Sequence, residues 1–507
     1  MGILSTIVLV PIVAVILISL VPESRPAWIK RIAFIAAGIN LCLATWLLID
    51  FTIKVLHADS GGASTALALE YVERYHWFEK LGIDYFMGAD GISVLMIFLT
   101  AIVIFCGVCA SWDHSYRVKE FFNFLFLLVT GVFGVFAARD LFLFFLFYEL
   151  AVLPMYLLIG IWGTGPREYS AMKLTLMLMG GSALIFLGIL VLYFESGAHS
   201  FSMVEIGRAG VSESTQRWLF PVMFFGFGTL GGLWPFHTWS PDGHASAPTA
   251  VSMLHAGVLM KLGGYGCLLS MYLMPKGAIM WSGLFLVLTT INLFYGSLIA
   301  VKKTDLKYIT AYSSVSHCGL ILFGLGTLNS VAFQGAVFQM YAHGLMTALF
   351  FALIGMIYGR THTRYVTEMG GLLSVMPWLG CAYFVGGLAG LGLPGLAGFI
   401  AEIQVFMGAF SVDSPIVKIL TVLAASSVVT TAVYMLRALT KMFYGPIQNS
   451  EHAKLTDANP VEKLALVILV FLLGFSGMFP GWLMKIISYS LNPIMAQIQQ
   501  IKLISGI

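Results

Sequence analysis

Charged residues are scarce in this sequence. Only 10% of the 507 residues are Asp, Glu, Lys or Arg, whereas 59% are hydrophobic. A soluble globular domain carries about 25% charged residues, so the composition excludes that class and predicts a polytopic membrane protein. The net charge of +3 is small and the basic residues are scattered, which excludes nucleic acid as a partner.

Cysteine is equally sparse. All six cysteines lie inside apolar segments: Cys42, Cys106, Cys109, Cys267, Cys318 and Cys381. Neither a disulfide framework nor an exposed metal site is therefore expected. Two of these cysteines spell CxxC, but they lie on one apolar span without a redox fold around them, so plain helix packing is expected. The first apolar run lacks a basic n-region and an A-x-A site, and we expect it to be a retained helix.

The sequence also lacks a nucleotide-binding motif in a usable context. GFGTLG (226–231) and GLGLPG (390–395) both match GxGxxG. Neither follows a strand or opens a βαβ unit, as nucleotide binding would require. Small residues that allow close helix packing are the better explanation.

Long apolar runs, in contrast, are abundant. At about 20 residues per span, they predict an all-α polytopic membrane protein with about 14 transmembrane helices. The expected helices 1 to 14 cover residues 3–21, 28–49, 88–110, 119–137, 140–161, 170–194, 218–250, 251–273, 278–300, 306–327, 331–358, 377–410, 415–440 and 461–488.

Basic residues predict the orientation. An even number of spans leaves both termini on one side of the membrane. Fifteen of the 27 Lys and Arg residues fall in loops on the other side and ten on the side of the termini, while Lys173 and Lys261 lie inside the membrane. Because basic residues accumulate in cytoplasmic loops, the termini are expected outside the cytoplasm.

Two of the expected helices are interrupted. Pro235, Pro241 and Pro248 break helix 7, and Pro394 breaks helix 12. Non-helical backbone survives at membrane depth only where it is buried in protein or lines a wet cavity. Each break lies in the fourth span of a block of five helices. An odd number of spans per block gives the two blocks opposite orientations, which is the plan of an inverted repeat with a working site near the midplane.

The resulting domain plan has four parts. Helices 1–3 occupy residues 1–110, the first five-helix repeat (helices 4–8) occupies 119–273, and the second (helices 9–13) occupies 278–440. Helix 14 and the tail occupy 461–507.

Charged residues within the spans are the candidates for function. Lys261 lies far from both ends of helix 8, where a buried ammonium costs roughly 2.5–3.5 kcal/mol on insertion scales. Glu149 lies in helix 5 between apolar residues, and Lys173 on helix 6 is the nearest intramembrane cation to it in sequence. The two form a structural ion pair, or Glu149 is a proton-carrying carboxylate; we favour the second interpretation.

Two histidines lie between Lys261 and Glu402 in chain order. His317 is on helix 10 and His343 on helix 11. Either could be a satisfied core histidine, but together with nearby hydroxyl residues they favour a hydrated proton relay. These hydroxyl residues are Ser313, Ser314, Ser316 and Thr347. Glu402 follows the second break, where it could cap freed amides, but we favour a proton or exit-site role.

Three more histidines are weaker candidates. His255 would lie about 240° around a regular helix from Lys261, so we favour a core role for it. His237 and His244 belong to the first break, where they either cap the backbone or meet water at a cavity mouth. The sequence leaves both interpretations open for these two residues.

Charges near helix ends have simpler explanations. Asp305 with Lys307, and Arg139 with Asp140, are expected to settle helix termini. The six acids of the 50–84 loop are expected to form a solvated face.

Four motifs together resemble a known family. HTWSPDGHASAPTAVSMLHAGVLMKLGGYG, KTDLKYITAYSSVSHCG, FQGAVFQMYAHGL and GLPGLAGFIAE are similar to the antiporter-like subunits of proton-pumping NADH:quinone oxidoreductase, respiratory complex I, and among them to the M, or mitochondrial chain 4, type. The resemblance covers nearly the whole chain and implies fourteen helices with two broken ones. It also implies a central polar axis containing Glu149, Lys261 and Glu402, with His317 and His343 as its motif histidines.

One position departs from the family pattern. The family usually has a lysine in the first half of helix 7 as partner of the helix 5 acid, whereas this chain has Leu230 near that place. Either Lys173 takes over this role, or the input half-channel works differently or not at all.

The resemblance implies a non-redox, proton-translocating subunit in a bacterial cytoplasmic membrane, coupled to quinone reduction elsewhere in the complex. The expected relay consists of Glu149, Lys173, Lys261, His317, His343 and Glu402, of which all but Lys173 are implied by the resemblance and Lys173 is a candidate from its position within helix 6. No cofactor is expected in this chain; FMN, iron–sulfur clusters and quinone are expected in other subunits, and antiporter-like neighbours on both sides. The alternatives are an Mrp-type cation/proton antiporter subunit and a non-pumping structural spacer, the latter suggested by the missing lysine.

Overall fold

The computed structural model of this chain describes residues 2–57 and 69–505. Its helices are α1 (Ile3–Leu20), α2 (Pro26–His57), α3 (Gly91–Ala110), α4 (Val118–Ala137), α5 (Leu141–Trp162), α6 (Arg167–Glu195), α7 (Met203–Ala209), α8 (Glu213–Leu230), α9 (Trp239–Ser246), α10 (Thr249–Leu254), α11 (Met260–Leu273), α12 (Pro275–Lys302), α13 (Leu306–Gly326), α14 (Ser330–Thr361), α15 (Pro377–Gly390), α16 (Ala397–Phe410), α17 (Pro415–Phe443), α18 (Pro460–Met478) and α19 (Gly481–Ser505). An antiparallel hairpin, β1 (Glu70–Phe78) and β2 (Ile83–Ala89), lies between α2 and α3.

The prediction of an all-α polytopic membrane protein is confirmed. Within the described residues, 12 helical segments are long and apolar enough to cross a membrane, and a π-helical turn makes 249–273 one of them. The two broken spans, α8 with α9 and α15 with α16, complete the expected fourteen. We call the membrane face where α1 begins and α18 ends the terminal face.

Both expected interruptions are present. The first separates α8 from α9, and Gly232 within it has a φ of +73°, a left-handed conformation that favours glycine. The backbone carbonyl of Thr229 is satisfied there by the indole of Trp239 (2.8 Å). The second separates α15 from α16, with Gly392 and Gly395 at φ +63° and +95°.

The two five-helix blocks have matching junctions. Asp140 caps α5 and forms an isolated bridge with Ser202, while Asp305 caps α13 and forms an isolated bridge with Tyr365. The first junction is at the terminal face and the second at the opposite face. The expectation that Arg139 and Asp140 settle helix termini holds for Asp140, and Arg139 donates to the C-cap carbonyl of α4 at Ala138 (3.2 Å). The Arg139 side chain is also buried and reaches Tyr265 of α11, which was not expected.

The hairpin fastens the start of the chain. Glu73 of β1 accepts hydrogen bonds from the backbone amide of Gly2 (2.9 Å) and from the amide and hydroxyl of Ser5 (3.2 and 2.6 Å). The first amides of a helix have no partner within the helix, and a carboxylate also interacts favourably with the helix dipole there. Glu73 therefore stabilises the first turn of α1.

The expectation that the acids of the 50–84 loop form a solvated face is wrong for Glu73 and Asp84, which are buried. Burial alone would raise the pKa of Asp84, but hydrogen bonds from His76 and Arg74 outweigh it and hold the pKa below its ordinary value of 3.8. The part of the loop at 58–68 lies outside the described residues.

The C-terminal part also differs from the prediction. Helix 14 was expected to run to residue 488, but α18 ends at Met478 and α19 begins at Gly481, because Pro480 cannot continue the hydrogen-bond ladder. Helix α19 runs along the terminal face. Near its start, Met484 accepts a hydrogen bond from Gln404 of α16, and further along, Ser490 accepts one from the amide that begins α3.

Candidate functional site

Lys261 is completely buried at the middle of the 249–273 span. The π-helical turn His255–Leu259 ends immediately before it, and such turns within α-helices recur at functional sites. The Lys261 ammonium donates to the backbone carbonyl of Ala256 and contacts Nδ1 of His343 at 2.7 Å. The lysine of α11 is thus hydrogen-bonded across the helix interface to α14.

The contact continues from His343 to Glu402. The imidazole centroids of His343 and His317 are 5.2 Å apart. Nδ1 of His317 lies 3.9 Å from Oε1 of Glu402 and 3.1 Å from Nε2 of the Gln339 side chain. The structure therefore brings four of the six predicted site residues together in one row: Lys261, His343, His317 and Glu402.

The row runs through a closed interior. His317, His343, Gln339 and Glu402 line the same small internal space. Among the described residues, Nε2 of both histidines has no hydrogen-bond partner. Buried polar atoms without a partner are rare, and both belong to this row. The side chains of His343 and His317 span most of the distance between Lys261 and Glu402.

The hydroxyl residues expected beside the histidines are largely engaged elsewhere. Thr347 and Ser314 donate to helix carbonyls one turn back (2.7 and 3.0 Å), and Ser316 donates to the carbonyl of Leu293 (2.9 Å). Ser313 accepts a hydrogen bond from the Tyr434 hydroxyl at 2.8 Å. Two of the four hydroxyl groups therefore bond within their own helix and two join neighbouring helices, and none of these contacts is to an imidazole.

Glu149 and Lys173 are not brought together. The Lys173 ammonium lies 2.7 Å from the carboxylate of Asp242, and both side chains are about one quarter exposed, at 22% and 24%. Tyr308 donates to the same carboxylate at 3.3 Å. Glu149 is half-buried, and its Oε1 has no partner among the residues that the structure describes. Lys173 does not replace the missing helix 7 lysine as partner of Glu149, and Leu230 is fully buried.

The sequence interpretation missed Asp242 and Gln339. Asp242 is the only acidic residue between Glu213 and Asp305, a signal that its position within the break could have strengthened. Gln339 precedes His343 by four residues, so the two share one face of a helix. Both signals were present in the sequence. Asp242, however, lies in the break and not in a regular span, and Gln339 is uncharged.

The three weaker histidine candidates are all buried. His244 and His255 have ring centroids 4.2 Å apart, and Nε2 of His244 lies 3.3 Å from the sulfur of Met260. The 240° separation between His255 and Lys261 assumed a regular α-helix, and the intervening π-helical turn winds differently. His237 packs against the ring of Tyr295 at 4.8 Å.

At the face opposite the termini, Asp305 and Lys307 do more than settle one helix end. Asp305 caps α13 by accepting from the Lys307 amide (2.8 Å) and pairs with Arg364 at 3.2 Å. The Lys307 ammonium donates to the carbonyl of Ala247, the C-cap residue of α9, over 2.6 Å. The second block is thereby fastened to the broken helix of the first block.

Sequence and structure comparisons identify the family. A family model described as "NADH:quinone oxidoreductase/Mrp antiporter, TM" matches residues 138–442, which is more than half of the chain and includes every predicted site residue. The chain belongs to the NADH:quinone oxidoreductase/Mrp antiporter transmembrane family. The resemblance inferred from the four motifs is confirmed.

Individual members of this family are similar over nearly the whole chain. NAD(P)H-quinone oxidoreductase chain 4 of Gloeobacter violaceus is 34% identical over 483 residues, covering 94% of this chain and 89% of that relative. A chain of respiratory complex I from Thermus thermophilus has a TM-score of 0.86 at 25% identity, covering 98% and 99% of the two chains. A chain of the Mrp complex from Dietzia sp. has a TM-score of 0.82 at 17% identity, covering 98% and 99%, and shares the fold.

Proposed function

We propose that this chain is a proton-translocating, non-redox subunit in the membrane arm of a bacterial NADH:quinone oxidoreductase. Quinone reduction elsewhere in the complex supplies the energy. The observation that carries the proposal is the buried row of Lys261, His343, His317 and Glu402, in which each group can hold a proton and adjacent groups lie 2.7 to about 5 Å apart. Buried titratable groups within a membrane protein mark ion and proton pathways.

The first transfer needs no rearrangement. The Lys261 ammonium carries protons and His343 Nδ1 lies within hydrogen-bond distance of it, so a proton passes from nitrogen to nitrogen and leaves a neutral amine. His343 then holds one proton on each ring nitrogen. Release of a proton from His343 to His317 restores the neutral imidazole, but the two rings, 5.2 Å apart between centroids, share no hydrogen bond, so this second transfer needs a side-chain shift or one entering water.

The last transfer does need a movement. The 3.9 Å between His317 and Glu402 exceeds hydrogen-bond distance, so a small side-chain shift or one entering water completes the row. This gap is one of two points at which the relay is interrupted, the other being the space between the two imidazoles.

The ends of the row have different surroundings. In the proposed orientation, with the terminal face outside the cytoplasm, protons enter from the opposite face near the Lys173–Asp242 pair and leave through Glu402. Glu149 lies half-buried in α5, where an antiporter-like neighbour can contact it. Such neighbours are proposed on both sides of the chain, with FMN, iron–sulfur clusters and quinone held by other subunits.

The test replaces Lys261 by methionine in the intact complex. We expect Lys261→Met to lower the proton gradient formed per electron transferred in membrane vesicles, by roughly tenfold or more, because a positioned proton-transfer group contributes on the order of 10²-fold to a rate. Lys276→Met is the matched control, since that lysine is exposed at the terminal face in a surface pair with Glu213. Wild-type pumping by Lys261→Met would support the structural spacer instead.

A second candidate is an Mrp-type cation/proton antiporter subunit, which the 0.82 TM-score to a chain of an Mrp complex favours. Copurification separates the two candidates. Flavin-containing and iron–sulfur partners extracted with the chain support the oxidoreductase. Small hydrophobic antiporter subunits without redox centres support the Mrp-type assembly.

A further inference from the structure

A buried arginine lies on the terminal side of Lys261. Arg139 stands between α4 and α5 at the terminal face, yet it is only 1% exposed. Its guanidinium donates from Nη1 to the Tyr265 hydroxyl and from Nη2 to Ser93 Oγ, each over 2.6 Å. A guanidinium is always charged in proteins. A fixed positive charge is therefore held in the interior and directed at α11.

Tyr265 connects this charge to the turn that carries Lys261. It follows Lys261 by four residues, so both side chains lie on one face of α11, and α11 continues from Lys261 toward the terminal face. The Tyr265 ring packs between Phe136 at 5.5 Å and Phe144 at 6.5 Å. A path from Lys261 along this face therefore meets a fixed phenol, two apolar rings and the arginine.

The carboxylate of Asp90 offsets part of this charge, but it lies nearest to the guanidinium nitrogen that does not contact α11. Asp90 approaches Nη2 of Arg139 at 3.5 Å, whereas Nη1 faces Tyr265. The other carboxylate oxygen of Asp90 accepts from the Ser93 amide at 2.7 Å, which caps α3. The ammonium of Lys261, in contrast, has its short contact with His343 on α14.

We propose that Arg139, with the tyrosine it holds, is a barrier that prevents protons on Lys261 from passing directly to the terminal face. The inference rests on the proposed function. A migrating proton is an excess positive charge, and a fixed cation repels it strongly where the surroundings are dry. Fixed arginines exclude protons and cations from membrane pores in this way. With the direct route closed, a proton on Lys261 leaves laterally through His343.

The test is the passive proton leak of the complete complex in vesicles without an electron donor. After an external acid pulse, a pH-sensitive dye inside reports proton entry. We expect Arg139→Gln to raise the leak several-fold, whereas Arg139→Lys keeps the charge and leaks like the wild type. Arg360→Gln is the matched control, because it removes another arginine from a largely buried pair, with Glu462 at 2.6 Å.

A double variant tests the route. Lys261→Met added to Arg139→Gln is expected to return the leak to the wild-type level, because the leak passes through the lysine. The proposal is overturned if Arg139→Gln does not leak, if Arg360→Gln leaks equally, or if the leak persists in the double variant.

Arg139→His keeps the proposal testable if Arg139→Gln does not assemble. Its imidazole can still donate to Tyr265 but is charged only at acidic pH. A leak at alkaline pH that disappears at acidic pH is the expected result, and an equal leak at both overturns the barrier. Failure of the proposed function is recognised separately: Lys261→Met alone would then pump normally, whatever the leak of the Arg139 variants.

Discussion

The ammonium of Lys261 and Nδ1 of His343 lie 2.7 Å apart across the interface of α11 and α14. These residues are 82 positions apart in the chain, and both are buried. The contact joins the end of the first five-helix block to the third helix of the second. Within the residues that the structure describes, the Lys261 ammonium has an imidazole and a backbone carbonyl as partners and forms no salt bridge with a carboxylate.

The first prediction concerns this contact. His343→Leu is expected to lower proton pumping by roughly tenfold or more, because it removes a positioned proton acceptor. Such a group contributes on the order of 10²-fold to the rate of proton transfer. Dye quenching in vesicles, divided by the rate of quinone reduction, measures the effect. Tyr341→Phe serves as the control on the same helix, since its hydroxyl contacts Ser476 at 3.3 Å. Equal pumping by both variants would contradict the relay.

The second prediction concerns Lys173 and Asp242. Because the pair is partly exposed, its coupling should be small, roughly 0.5–1 kcal/mol. A double-mutant cycle with Lys173→Met and Asp242→Asn, followed by thermal unfolding of the complex, measures it. The surface pair of Lys276 and Glu213 is expected to show weaker coupling. Strictly additive effects of Lys173→Met and Asp242→Asn would show that the 2.7 Å contact contributes nothing.

The third prediction concerns the hairpin at low pH. The pKa of Asp84 is lower in the folded chain than its ordinary value of 3.8. The ionised carboxylate therefore stabilises the folded state relative to the unfolded state. The resulting stability is present above pH 3.8 and is lost as the pH falls through the lowered pKa. Amide-exchange protection of residues 70–89 should decrease over that interval. Asp84→Asn should remove this pH dependence, whereas Asp413→Asn, at an exposed pair, should leave it unchanged.

The sequence alone predicted the number and order of the membrane spans, because a lipid bilayer requires apolar segments of a fixed minimum length. Fourteen apolar windows and the prolines of the two breaks follow from chain-local chemistry, and the structure has both. It also identified Lys261, His317, His343 and Glu402 as intramembrane titratable residues. The error at the end of helix 14 is local too: Pro480 was visible, but apolar residues continue beyond it and masked the break.

Only the tertiary structure decided which of these groups meet. Lys173 was the nearest intramembrane cation to Glu149 in sequence, yet it contacts Asp242, because helix neighbours in space are set by packing and not by chain order. Arg139 was expected at a helix end and is buried against Tyr265 of α11, 126 positions away. The sequence determined which side chains are too polar to face lipid. The packed fold determined their partners, since a buried charge is stabilised only by the groups that happen to surround it.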